Sequence, residues 1–381
     1  MRIYLDHNST TPLRDEVVDA MARSLRDIAG NPSSTHAEGA AARGAVERAR
    51  EQVASALGAR PSEVIFTAGA TEANNTVIQG LLRAPVGGRH AVTTGTEHPS
   101  VAEPLAVLAA DGLRVSRVRV DADGLLEPSS IEAALERDTA LVSVLWANNE
   151  TGVLQPIAEI AELVAARGLP LHVDATQALG KLPVDFASLP IDFVSCSAHK
   201  LNGPKGVGCL VARQGCTLPP LLHGGGQERR RRGGTENVAS IVGFGVACAL
   251  AQRELDQRAK RYAELRDRLW EGLRAKLPRV RRNGSADHVL ANTLNVEFEG
   301  CPGEALLQAL DLEGVAVSAG AACHSGAVEP SHVLSAMGRS PEQARASLRL
   351  SVGLGVDEAQ IDRVVELLDG LVSRVREGGA L

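Results

Sequence analysis

The segment Leu171-His172-Val173-Asp174-Ala175-Thr176-Gln177 reads as a short apolar strand that ends in a carboxylate. Apolar residues without helical spacing predict a buried strand. A carboxylate at the end of such a strand costs free energy unless a cation lies beside it. We therefore expect Asp174 to mark the carboxyl end of a sheet strand and to face a positively charged partner.

Strands and helices alternate on both sides of this segment. Strands are predicted at residues 63–67, 90–94, 115–120, 141–145, 171–174, 193–195 and 207–211. Helices are predicted at 15–29, 37–57 and 156–167, and a further one opens at 69–72. Such alternation indicates a largely parallel sheet covered on both faces. We assign it to a large α/β domain spanning residues 15–254.

The regular alternation of strands and helices ends near residue 250. Residues 237–277 read as one bent helix or two helices, and shorter strands and helices follow at 294–298, 303–312, 315–318, 347–352 and 357–374. This mixture predicts a second, smaller α+β domain made of residues 1–14 and 255–381. The boundary is expected inside the long helical stretch, because no linker-like loop is present.

Composition excludes several classes of protein. The chain has 381 residues, a net charge of −6, 44% hydrophobic and 23% charged residues, which is a globular balance. No apolar run reaches the ~18 residues of a membrane helix, so no membrane partner is expected. The acidic balance and 2% aromatic content argue against nucleic-acid binding. Six scattered cysteines and the lack of an export signal predict a cytoplasmic enzyme.

Residues that carry chemistry follow the predicted strands. Ligands of parallel sheets bind beyond the carboxyl ends of the strands. There the sequence places a small-residue turn at 69–72, His98, Asp174 and Lys200. Singly, these are most often a capped helix, a structural histidine, a paired carboxylate and a surface lysine. Together they match what pyridoxal phosphate requires: an imine-forming lysine, a carboxylate for the ring nitrogen, a phosphate cup and a flat group over the ring.

A resemblance to a known family rests on ordered motifs along essentially the whole chain. They are Tyr4-Leu5-Asp6 with Thr10-Thr11-Pro12, Gly30-Asn31-Pro32-Ser33-Ser34, Gly69-Ala70-Thr71-Glu72, Thr96-Glu97-His98, Asn148-Asn149-Glu150-Thr151-Gly152, His172-Val173-Asp174-Ala175-Thr176-Gln177, Ala198-His199-Lys200, Gly224-Gly225-Gly226-Gln227-Glu228, Gly234-Thr235-Glu236-Asn237 and Gly320-Ala321-Ala322-Cys323. The sequence resembles the cysteine desulfurases of the class V aminotransferase group, which also contains selenocysteine lyase. The resemblance implies the fold type I, aspartate aminotransferase-like architecture.

The resemblance also implies residue roles. Lys200 would form the imine with the cofactor, Asp174 would pair with the ring nitrogen, and His98 would lie over the ring and move protons. Gln177 would form a hydrogen bond to the ring hydroxyl oxygen. The substrate carboxylate would be bound by Asn149 and Arg349. The phosphate would be bound by Ala70, Thr71, Ser197 and His199, and by Thr235 from a second subunit. A homodimer follows from the role of Thr235.

Cys323 is the expected nucleophile. It lies in a stretch of small residues, whereas Cys196, Cys209 and Cys248 lie on apolar segments typical of inert buried thiols. The resemblance implies that L-cysteine is converted to L-alanine with a persulfide on Cys323. The persulfide sulfur would pass to an acceptor protein such as an iron–sulfur scaffold.

Two neighbouring features of the sequence differ in what they indicate about the substrate. His324 resembles the selenocysteine lyase version of the loop, while the segment 329–334 and its distance from Cys323 match the desulfurase version. Selenocysteine lyase is therefore kept as the alternative, followed by a transaminase of the same fold and a non-catalytic scaffold. The run 229–232 of four arginines is either a solvated loop or an entrance that attracts carboxylates.

Overall fold

The computed structural model describes residues 2–83, 88–319 and 329–378. In this part of the chain the strands are β1 (Ile3–Tyr4), β2 (Val64–Thr67), β3 (His90–Thr94), β4 (Arg114–Val118), β5 (Thr139–Leu145), β6 (Leu171–Asp174), β7 (Phe193–Ser197), β8 (Gly208–Ala212), β9 (Val280–Arg282), β10 (Thr293–Phe298), β11 (Val315–Ala316) and β12 (Ser347–Ser351). The helices are α1 (Asp15–Asp27), α2 (Ala37–Leu57), α3 (Ala70–Leu82), α4 (Pro99–Ala110), α5 (Pro128–Ala134), α6 (Ile157–Ala166), α7 (Gln227–Arg230), α8 (Val238–Arg253), α9 (Leu255–Lys276), α10 (Gly303–Leu312), α11 (His332–Ala336), α12 (Pro341–Arg345) and α13 (Glu358–Arg376).

Seven of these strands form one sheet in the order β2-β8-β7-β6-β5-β3-β4. The sheet is mostly parallel, as predicted; β8 alone runs antiparallel to both of its neighbours, β2 and β7. Residues 198–207 join β7 to β8, and a connection this short does not leave room for the helical crossover that parallel neighbours need. The fold class predicted from the sequence is confirmed.

Adjacent residues of several strands enter different cores on the two faces of the sheet. Val142 packs in the core beneath α2 and α8, whereas its neighbour Leu141 packs in the core beneath α3 and α4. Val194 and Phe193 divide in the same way. Successive side chains of a strand point to opposite faces, so the inner strands of a sheet covered on both sides bury consecutive residues. This explains the largely apolar runs of β2 and β8.

The long helical stretch is two helices, α8 and α9, which meet at an angle of 73°. Glu254 lies at the break between them. Its Oε2 forms ion pairs with Nη2 of Arg258 at 2.7 Å and with Nη1 of Arg14 at 3.0 Å. Within the described residues no single helix has the length and apolar content of a membrane span; α8 and α9 reach them only as a bent pair.

A second core lies between α9, α13 and the strands β12-β10-β9. Leu269, Val296, Leu348 and Leu368 are fully buried there. The N-terminal strand β1 belongs to this core and pairs in parallel with β11. From β1 the chain crosses to the large sheet, where the backbone N–H of Thr11 donates to the carbonyl of His199 at 2.9 Å. The segment 6–11 therefore lies between the two cores.

Candidate active site

A cavity of about 1000 Å³ opens at the carboxyl ends of the large sheet's parallel strands. This is the position expected for a ligand of an open α/β sheet. Ten of the twelve site residues predicted from the sequence line it: Ala70, Thr71, His98, Asn149, Asp174, Gln177, Ser197, His199, Lys200 and Arg349. Strand ends that are distant in sequence meet here because parallel strands finish at one edge.

Lys200 closes a single 3₁₀ turn directly after β7. Its Nζ donates to the backbone carbonyls of Asn8 at 2.8 Å and Ser9 at 2.7 Å. Burial, followed by the positive charge of Arg349, lowers the pKa of Lys200 to about 8. A lowered pKa increases the fraction of the amine that is uncharged near neutral pH, and the uncharged amine is the form that attacks a carbonyl.

Asp174 ends β6, which is paired on both sides, and its carboxylate is buried. Oδ2 accepts from Nδ2 of Asn74 at 2.8 Å, and Oδ1 accepts from the backbone N–H of Thr176 at 2.9 Å. Among the described residues no lysine or arginine forms an ion pair with it. A buried carboxylate without a protein cation, facing a cavity, fits a ligand that brings a protonated ring nitrogen.

His98 caps the N-terminus of α4 with its ring at the cavity wall. Nδ1 accepts from the backbone N–H of Ser100 at 3.1 Å and lies 2.7 Å from its hydroxyl. This hydrogen bond assigns the proton of the neutral ring to Nε2. The ring can therefore offer an N–H from Nε2.

The turn before α3 supplies the expected anion site. Gly69 adopts φ +155°, and α3 begins at Ala70 with its first N–H groups free of partners within the helix. Ser197 and His199 also line the cavity. Burial, then the charge of Lys200, lowers the pKa of His199 to about 4, so its ring is neutral. Free N–H groups, a hydroxyl and the positive end of the helix suit a phosphate.

Arg349 lies on β12, and its side chain reaches the cavity. Nη2 binds Oδ1 of Asp6 at 2.6 Å and Oγ of Ser9 at 2.7 Å, while Nη1 donates to the carbonyl of Asn149 at 3.0 Å. Nε is buried and has no hydrogen-bond partner in the described part of the chain. A guanidinium held in place beside a cavity suits a substrate carboxylate.

Two predicted site residues are not tested by this cavity. Thr235 is exposed and does not line it, so its predicted service to a second subunit stays a prediction. Cys323 lies outside the described residues, and its role as nucleophile also stays a prediction.

Sequence reasoning missed how fully the segment 6–10 takes part in the site. Asn8 and Ser9 bind Lys200, Asp6 and Ser9 bind Arg349, and Thr10 lies 3.2 Å from Nδ1 of His199. The motifs Tyr4-Leu5-Asp6 and Thr10-Thr11-Pro12 marked this segment as part of the family pattern, but they gave it no role in the site. Its partners lie about 170 to 340 positions away in sequence, so spacing could not reveal them.

Three features of the cavity correspond to parts of pyridoxal phosphate. The cavity offers a lysine with a lowered pKa, a buried carboxylate that lacks a protein cation, and a helix N-terminus with free N–H groups. Each feature matches one part of the cofactor: the aldehyde, the ring nitrogen and the phosphate. The residues present therefore fit this cofactor.

Comparisons with known proteins agree with this site. The family model described as aminotransferase class-V matches residues 3–364. Curated relatives 42 to 45% identical to this chain are named cysteine desulfurases. One of them, cysteine desulfurase IscS of Dictyoglomus turgidum, is 42% identical over 98% of this chain and 95% of its own length.

Solved structures are similar over almost the whole chain. A NifS-like protein superposes with a TM-score of 0.92 at 37% identity, covering 98% of this chain and all of the other. A structure described as SspA in complex with cysteine has a TM-score of 0.83 at 35% identity, covering 92% of this chain and 99% of the other.

Proposed function

The chain belongs to the aminotransferase class-V family, and we propose that it is a pyridoxal-phosphate-dependent cysteine desulfurase. The observation that carries this function is the convergence of Lys200, Asp174 and Arg349 on one cavity. These residues supply an amine, an unpaired carboxylate and a carboxylate-binding cation. The selenocysteine lyase alternative is not favoured, because the relatives of this chain are named cysteine desulfurases.

Bound pyridoxal phosphate supplies an aldehyde that joins to an amine and a ring that withdraws electrons from the substrate's Cα. Lys200 would hold the cofactor through its amine and would serve as the base for the Cα proton. Asp174 would hold the ring nitrogen in its protonated form. His98 would offer a proton from Nε2, and Arg349 with Asn149 would orient the substrate carboxylate.

The net reaction balances without a further reactant. The Cβ–S bond of L-cysteine breaks, its sulfur joins the thiol of Cys323 as a persulfide, and the Cβ atom receives a proton to give L-alanine. A persulfide is reactive and must be passed on. We therefore propose a sulfur acceptor protein as the partner, an iron–sulfur scaffold being the best supported by the IscS names of relatives.

We propose a homodimer, since Thr235 is exposed on its own chain while the family motif assigns it to a phosphate site. A second subunit would bring it to the partner's cavity. We propose the cytoplasm as the compartment. In the described part of the chain five cysteines are free thiols, in keeping with a reducing environment.

The test is an assay of the purified protein with pyridoxal phosphate on L-cysteine and on L-selenocysteine, measuring alanine from each. We expect alanine and protein-bound sulfur from L-cysteine. Alanine from L-selenocysteine alone would make the protein a selenocysteine lyase. An exchanged amino group without alanine or bound sulfur would make it a transaminase.

A further inference from the structure

A second lysine, Lys181, lies directly behind the wall of the cavity. Its Nζ donates to Oε1 of Gln177 at 2.5 Å and to Oδ1 of Asn8 at 3.0 Å. It does not line the cavity itself. None of the steps described above uses this lysine, although both of its partners, Gln177 and Asn8, line the cavity.

The turn that carries Lys181 is firmly held. The N–H of Lys181 donates to the carbonyl of Ala178 at 3.0 Å, and Gly180 adopts φ +76°. A Cβ at Gly180 would meet Cβ of Leu201 at 3.0 Å and Cβ of Ala251 at 3.1 Å. The turn is therefore packed against the segment that follows Lys200, which fixes where the Lys181 side chain begins.

The contact determines which end of the Gln177 amide faces the site. A charged lysine offers only hydrogen-bond donors, so the amide oxygen is its partner. Nε2 of Gln177 then points the other way and donates to the carbonyl of Asn8 at 2.9 Å. Because an amide nitrogen carries two N–H groups, one remains for a ligand in the cavity.

Asn8 is held in the same way. Its Oδ1 accepts from Lys181 and from Nδ2 of Asn292 at 3.0 Å, and its Nδ2 donates to Oγ1 of Thr293 at 2.8 Å. The backbone carbonyl of Asn8 accepts from both Gln177 and Lys200. One residue thus links the two lysines and the glutamine.

We propose that Lys181 is a positioning residue that fixes Gln177 as a hydrogen-bond donor toward the ring oxygen of bound pyridoxal phosphate. This inference rests on the proposed function. A donated N–H stabilises the ionised form of that oxygen. Without Lys181 the amide oxygen loses its donor, and only the bond from Nε2 to the carbonyl of Asn8 is left to hold the orientation.

The charges around Lys181 are mainly positive. Burial, then Lys200 and Arg349, lowers the pKa of Lys181 well below its ordinary value. Lys181 in turn helps to lower the pKa of His7 and of His199. A neutral amine keeps two N–H groups, which is enough for the two contacts of Nζ.

The test compares the holoenzyme with Lys181→Met, Lys181→Arg and, as a control, Lys260→Met on the exposed side of α9. The visible absorbance of the bound cofactor is titrated with pH, and cofactor dissociation is measured beside thermal stability. For Lys181→Met we expect a midpoint raised by about one pH unit, the size of effect that one hydrogen bond to the charged form has on a pKa. Lys181→Arg, which keeps a donor, and Lys260→Met should stay near wild type.

A double-mutant cycle separates positioning from simple support of the fold. In a Gln177→Ala background Lys181→Met should shift the midpoint no further, because the amide it orients is gone. An unchanged midpoint in Lys181→Met, or equal shifts with and without Gln177, would overturn the proposal. Alanine formation by the unmodified enzyme is measured separately. An unshifted midpoint would therefore overturn only the role of Lys181, and a lack of alanine would overturn only the desulfurase assignment.

Discussion

Nη2 of Arg349 lies 2.6 Å from Oδ1 of Asp6. The arginine proposed to bind the substrate carboxylate therefore already forms an ion pair with a carboxylate of the protein. Both side chains are largely buried, and Ser9 bridges them by accepting from Arg349 and donating to Asp6. The N-terminal segment thereby orients the guanidinium before substrate enters. An arginine fixed in this way loses little conformational entropy on binding.

Arg349→Lys should raise KM for L-cysteine by about 10- to 100-fold, with a smaller change in kcat. A lysine lacks the planar fork and cannot contact Asp6, Asn149 and a substrate carboxylate together, and losing a charged hydrogen bond costs about 1.5–3 kcal/mol. Steady-state kinetics measure this. Arg363→Lys, on the exposed surface of α13, is the control, and an unchanged KM for Arg349→Lys would remove Arg349 from the substrate site.

The capture of pyridoxal phosphate by cofactor-free protein should depend on pH through Lys200. Its pKa is lowered to about 8, so the uncharged fraction increases as the pH rises toward 8 and changes little above it. The capture rate should rise about tenfold per pH unit below that point and then level off. Stopped-flow absorbance measures the rate.

Arg349 is one cause of the lowered pKa of Lys200, which gives this prediction its control. Arg349→Met removes the positive charge, so the pH at which the capture rate levels off should move upward. Levelling only above pH 10 in the unmodified protein would show that burial does not lower the pKa of Lys200.

Asp174→Asn should keep the fold and bind cofactor but lower alanine formation by about 10²- to 10⁴-fold. An amide cannot hold a proton on the ring nitrogen as a carboxylate does. The new NH₂ group also faces Nδ2 of Asn74 in one orientation and the N–H of Thr176 in the other. Asp192→Asn, on a different loop, is the control. Equal alanine rates for Asp174→Asn and wild type would refute the role of Asp174.

Glu228→Gln should reduce the free energy of unfolding by about 3–5 kcal/mol, because it leaves the charge of Arg50 buried without its partner. Two bonds of 2.8 Å join Arg50 to Glu228, and the N–H of Phe66 donates to the same carboxylate. Denaturant unfolding measures the loss.

Glu47→Gln is the matched control for that experiment. Glu47 also pairs with Arg50, but its side chain is 46% exposed. Exposed pairs contribute about 0–1 kcal/mol. Similar losses for both variants would contradict the account of the buried pair.

Much of the large sheet was predictable because its strands and helices have strong local signals. Helix α2 has the predicted bounds, 37–57, since Gly58 ends it with φ +62°. The bounds of β3 and β6 were also predicted. Helix α4 was missed, as Pro104 inside it masks the helical pattern. The two-residue strands β1 and β11 are too short for any periodicity to show their pairing.

The same division holds for the site. His98, Asp174 and Lys200 were predictable together, because parallel strands end at one edge. Asp6, Asn8 and Lys181 were not, because long-range contacts bring them there. The local pattern of apolar and polar residues predicts helices and strands, whereas those long-range contacts depend on how the two cores are joined.

In the proposed reaction, sulfur moves from L-cysteine to Cys323. The most direct test of this transfer is intact-mass and peptide mass spectrometry of the holoenzyme after L-cysteine, beside Cys323→Ala, with alanine measured in the same samples. We predict one extra sulfur atom on Cys323 and an equal amount of alanine, and no bound sulfur in Cys323→Ala despite bound cofactor. Undiminished desulfurase activity in Cys323→Ala, or sulfur bound at Cys216 instead, would contradict the account.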